Sequence, residues 1–166
     1  SRSSVNHCGF VAQPTTEGPD ISTVPSGSAI TNTPMWSQND ADWCNDKMGS
    51  LTIGDAGCAM TSTAMAISKI SGKNINPGQL NAYLRANGGY SGDCIVWGKA
   101  AQAAGLNGAS LTSWNLDTIN QQLDQGRPVV VGVDFKPGSG GGSNGTDHWI
   151  VLTGYGTQNG QTVYYA

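Results

Sequence analysis

The chain has 166 residues, a formal charge of −3 and a charged fraction of only 11%. That length suits one domain with its own core. The eight Lys and Arg residues are scattered, which argues against nucleic acid or an anionic membrane surface, since both ask for clustered basic groups.

The longest apolar run lies near Pro128–Val131, far short of the roughly 20 residues of a membrane helix, so no membrane span is expected. No signal peptide stands in the sequence. That does not place the protein in the cytosol, because export signals are removed after use. High Gly, Ser, Thr and Asn content with little charge is the texture of exported proteins. The four cysteines, Cys8, Cys44, Cys58 and Cys94, allow two disulfides in three connectivities. They equally allow one disulfide and a reactive thiol. There is no CxxC pair and only two histidines, so neither a zinc site nor another cofactor is expected.

Residues 1–33 are rich in Pro, Ser, Thr and Gly and show no period. They read as an extended arm, linker or leader outside the core. The domain proper is expected over 34–166. "MWSQNDADW" brings two tryptophans among polar residues, and "SLTIGDAG" reads as a short strand or turn leading to Cys58. Met60, Ala64, Ile67 and Ile70 share one face of a helix over 59–70 that Ser71-Gly72 ends. Pro77 starts a second helix and Gly88 closes it. A third is expected through "IVWGKAAQAAG", with Trp97, Ala100, Ala101 and Ala104 inward, and a fourth follows the cap Asn115.

The period then changes. "RPVVVGVDF" is a near-continuous β-branched run and reads as a buried strand. A glycine-rich loop, 138–145, follows. "HWIVLTGYG" and "QTVYYA" are two more strands, joined by an Asn159-Gly160 hairpin turn. Helices followed by an antiparallel sheet make an α+β layout.

A cysteine is nucleophilic as the thiolate, and a helix N-terminus with a nearby imidazole favours that form. Cys58 stands at such an N-terminus. Gly57 before it leaves room for a substrate backbone. Of the two histidines, His7 lies in the arm, so His148, at a strand start, is the candidate base. An oxyanion hole would combine the Cys58 N–H with an upstream side-chain amide, Gln38 or, failing that, Asn39.

"WSQNDADW", "TIGDAGCAMTSTAM", "GRPVVVGV" and "DHWIVLTGYG" occur in this order over roughly residues 35 to 165. Together they resemble the papain-like cysteine peptidases of the bacteriocin-processing (double-glycine) group, above all its secreted or cell-surface relatives without a transporter. The resemblance implies a papain-like fold, with a helical half carrying the Cys and a sheet half carrying the His. It implies peptide or isopeptide hydrolysis through a thioester, with Cys58 as nucleophile, His148 as base and Gln38 as the oxyanion amide. The substrate would be a peptide, a protein or a cell-wall peptide.

Such enzymes orient the His with an Asp or Asn just after the following strand. Here that strand is "QTVYY" and no such residue follows it before Ala166. Truncation of the domain, supply of the residue by another chain, and a bare dyad all remain open. So does an inactive papain-like module that binds a protein or peptidoglycan partner.

The plainer alternatives are a core or bridged Cys58, a structural His148, a surface Gln38 and tryptophans that only pack. Cys44 and Cys94, both in polar loop-like settings, are the expected disulfide pair. Asp147 neighbours the histidine but should face away from it on a strand. Asn144-Gly-Thr is a glycosylation sequon with meaning only in a eukaryotic secretory setting.

Overall fold

A computed structural model describes residues 4–13, 28–112, 115–134 and 148–166. Among them are five helices: α1 (Ile53–Ala56), α2 (Cys58–Ser71), α3 (Pro77–Ala86), α4 (Trp97–Ala103) and α5 (Leu116–Asp124). The strands are β1 (Ser4–Gln13), β2 (Ala29–Ile30), β3 (Tyr90–Ser91), β4 (Cys94–Ile95), β5 (Gly108–Thr112), β6 (Val129–Asp134), β7 (His148–Leu152), β8 (Gly154–Gln158) and β9 (Gln161–Tyr165).

Helix α2 is the centre of the fold. Every residue from Met60 to Ser68 is buried, so the helix is covered all round rather than along one stripe. It packs on β7 and β6 and against α3 and α4. Gly72, in the left-handed conformation (φ 73°), ends it. Helix α3 has the expected start. Pro77 follows Asn76, whose side chain accepts the Gln79 N–H while the Gln79 side chain accepts the Asn76 N–H. In α5, Asn115 caps the N–H groups of Asp117 and Thr118.

The main sheet has the order β5-β1-β6-β7, all neighbours antiparallel. Strand β6 is buried on both sides. Val130 joins the core around α2, while Val129, Val131 and Val133 join a second core with Ile119 and Leu123 of α5. That two-sided burial explains why its sequence is continuously apolar rather than alternating. A second sheet, β2-β8-β9, closes the other side of α5. There the Tyr155 and Tyr164 hydroxyls donate to Asp124 (2.6 Å) and Asn120 (2.7 Å).

This is an α+β architecture. Three features depart from the sequence expectations. The sheet does not simply follow the helices, because β1 comes from the N-terminal end and β5 lies between α4 and α5. Residues 4–13 of the supposed arm thus form a strand between β5 and β6, and residues 14–27 lie outside the described part. "HWIVLTGYG" is two strands, not one. Thr153 breaks it by donating its N–H to Tyr165 O (2.8 Å), which hands the chain from the first sheet to the second. Finally, "TIGDA" is a single helical turn, α1, because Thr52 caps it through its side-chain oxygen.

Candidate active site

The site begins at the junction of α1 and α2. The Gly57 N–H donates to Ile53 O at 2.7 Å and closes α1; the next residue, Cys58, opens α2. Gly57 supplies no side-chain cap. The first-turn N–H groups of a helix lack intrahelical acceptors, so the half-buried Cys58 thiol stands at the positive end of a 14-residue helix.

The reason for a glycine here differs from the one read in the sequence. A Cβ on Gly57 would meet Ile53 O at 2.4 Å and Ile53 Cγ2 at 2.7 Å. The missing side chain makes room for the buried Ile53 behind the junction, not for a substrate in front of it.

A cleft of about 490 Å³ opens beside this junction. One wall is residues 35–39, one is β7 from His148 to Val151, and its floor is the α2 face carrying Thr61, Ser62 and Met65; Ala166 closes one side. Cys58, His148, Gln38 and Asn39, the four residues considered for nucleophile, base and oxyanion amide, all line it. No Lys, Arg, Asp or Glu side chain is among its described lining residues.

Gln38 is tied to the α1–α2 junction. Its Nε2 donates to Gly54 O at 3.0 Å and reaches Ile53 O at 3.5 Å. The longer contact is at the limit of a hydrogen bond. The wall is held by two further bonds. The Trp36 N–H donates to Met65 Sδ (3.2 Å), and Ser62 Oγ donates to Trp149 O (3.2 Å), fastening α2 to β7 beside the histidine. Trp149 also packs against Trp97, ring centroids 5.0 Å apart. The tryptophans whose side chains are described are therefore packing and wall elements.

Sequence reasoning missed Thr61, Ser62 and Met65 as cleft residues. They lie three, four and seven positions after Cys58, the spacing of one helix face, so the signal was present once Cys58 was placed.

Asn159 sits in the β8–β9 turn with φ 52° and does not line the cleft. Asp147, the 138–145 loop and the Asn144 sequon lie outside the described residues. The expected Cys44–Cys94 disulfide is not formed; both thiols are free. Cys44 is turned to α1, its carbonyl accepting the Gly54 N–H (2.9 Å), while Cys94 is exposed in the β3–β4 hairpin opposite Ser91. No group of His, Cys, Asp and Glu among the described residues could hold a metal ion. No described helix is long and apolar enough to cross a membrane.

The clearest electrostatic feature lies away from the cleft. Asp93 accepts from Ser50 Oγ (2.6 Å), Leu51 N–H (2.9 Å) and Gly49 N–H (3.1 Å). The Ser50 hydroxyl first, then the backbone donors, hold its carboxyl below the usual carboxylate range. This pins the loop that precedes α1.

None of the curated proteins and none of the solved structures compared matches the chain. A family model does match, over residues 30–166, a span that includes every described lining residue of the cleft. The chain belongs to the Peptidase_C39 like family, a cysteine peptidase family.

Proposed function

We propose that the protein is a thiol-dependent peptide hydrolase of papain-like design, working through Cys58 and His148. The observation that carries the reading is the meeting of Cys58, at the start of α2, with His148 and Gln38 in one cleft. Family membership supports the peptidase class.

In this mechanism Cys58 Sγ attacks the scissile carbonyl carbon and a C–S bond forms. His148 takes the thiol proton and returns it to the leaving amine as the C–N bond breaks. The Cys58 N–H and the Gln38 amide face the developing oxyanion. Water, activated by His148, then hydrolyses the thioester and frees the thiol. The described lining, without Lys, Arg, Asp or Glu, favours an uncharged segment of peptide, and an exported setting fits the low charge of the chain.

Incubation with a defined peptide mixture, read by mass spectrometry, tests the activity. New termini are expected with the wild type and none with Cys58→Ala. Cleavage that persists in Cys58→Ala would rule out this nucleophile.

A further inference from the structure

The hydroxyls along the first two turns of α2 are not equivalent. Ser62 Oγ donates to Trp149 O (3.2 Å), and Thr63 Oγ1 donates back to Ala59 O (2.7 Å). Thr61 Oγ1 is buried and has no hydrogen-bond partner, and no other buried side-chain nitrogen or oxygen among the described residues shares that condition. Thr61 is 4% exposed and lines the cleft one helical turn beyond Cys58.

A buried hydroxyl without a partner is destabilising, and an apolar side chain of the same shape would remove that cost. Among the other described cleft residues, the side chains of Met65, Trp36 and Val151 carry no oxygen. A partner that arrives from the cleft would satisfy it. Threonine suits such a role, because in a helix it divides between two χ1 wells and can swing its oxygen towards the cleft when a partner comes.

We propose that Thr61 is a substrate-contacting residue whose hydroxyl is satisfied by a main-chain amide group of the bound peptide. The proposal rests on the peptide-hydrolase reading above. It assigns the floor of the cleft to the peptide backbone rather than to a charged side chain, in keeping with the absence of Lys, Arg, Asp and Glu among the described lining residues. Three residues of helix, about 4.5 Å of rise, separate Thr61 from Cys58. That spacing suits an amide next to the scissile one, so the contact would help set the carbonyl over the thiol.

The test compares two alkylating probes on Cys58. Acetyl-trialanyl chloromethyl ketone carries only main-chain polar groups, and iodoacetamide carries no peptide. For each protein, the ratio of the two rate constants at Cys58 is read by peptide mapping. The wild type is expected to favour the peptidyl probe. In Thr61→Val the ratio should fall about tenfold, the weight of one neutral hydrogen bond, and Thr61→Ser should restore it. Iodoacetamide labelling should be unchanged and the melting temperature no lower than wild type, because valine keeps the shape and removes an unpartnered group. An equal ratio in Thr61→Val and wild type would overturn the proposal. If wild-type Cys58 reacts with neither probe faster than the exposed Cys94, the hydrolase reading fails, and this inference with it.

Discussion

Replacing Gly57 by alanine puts a methyl group 2.4 Å from Ile53 O and 2.7 Å from Ile53 Cγ2. The backbone conformation is not the obstacle: φ is −86° and ψ 17°, which alanine tolerates. The obstacle is contact. Ile53 O is fixed because it accepts the Gly57 N–H, and the Ile53 side chain is fully buried. Neither can yield by rotating into solvent. Overpacking of this kind costs about 1–3 kcal/mol, and a fixed backbone partner places Gly57→Ala near about 3. For a chain of this size that lowers the melting temperature by roughly 6–12 °C.

Gly98 is the control. It lies in α4 and a Cβ there meets nothing within 4 Å. Gly98→Ala should therefore stabilise, by about 0.4–1 kcal/mol, through the unfolded state. The assay is thermal unfolding followed by circular dichroism, with iodoacetamide labelling of Cys58 in parallel. Gly57→Ala should lower both the melting temperature and Cys58 reactivity, since the strain lies in the turn that sets the thiol. A Gly57→Ala melting temperature within about 2 °C of wild type, less than about 1 kcal/mol, would refute this account of why a glycine precedes the cysteine.

Further outcomes follow from other contacts. Tyr155 is 6% exposed and its hydroxyl anchors Asp124 of α5; Tyr155→Phe should cost about 1–2 kcal/mol in a urea titration. Asp93 has a folded-state pKa held below its unfolded value. Its contribution is therefore fully present above the unfolded pKa, near 3.9, and is lost as pH falls through the lower folded value. The melting temperature of Asp93→Asn should decline less steeply than wild type over that acid range, and parallel curves would contradict the role given to Ser50 and the loop amides. Cys44 and Cys94 are unbridged, so dithiothreitol should leave the melting temperature unchanged; a clear drop would mean a bridge exists.

How far the sequence could be read depended on how local each determinant was. The Pro77 start of α3, the Asn115 cap and the Asn159-Gly160 turn are set by a few adjacent residues, and each was legible. Strand β6 was legible because burial on two faces leaves a solid apolar run. What was lost was set at a distance. The break at Thr153 depends on a bond to Tyr165 O, twelve residues away. Strand β1 carries a polar, glycine-containing sequence whose pairing with β5 and β6 no local pattern announces. Cys44 and Cys94 shared a polar texture, and texture does not fix distance. Within the site, Cys58 could be placed because glycine and a helix start are local. The tethering of Gln38 to Gly54 O is not local, and neither is the isolation of the Thr61 hydroxyl.

The most direct test of the account compares two thiols in one protein. Cys58 is half-buried and Cys94 is exposed. Simple accessibility therefore favours Cys94 in any alkylation at neutral pH. If Cys58 and His148 form a nucleophile and its base, iodoacetamide should modify Cys58 first, and His148→Ala should slow that reaction by about 10²-fold or more while leaving Cys94 unaffected. Faster labelling of Cys94, or a Cys58 rate indifferent to His148→Ala, would contradict the pairing on which the proposed function stands.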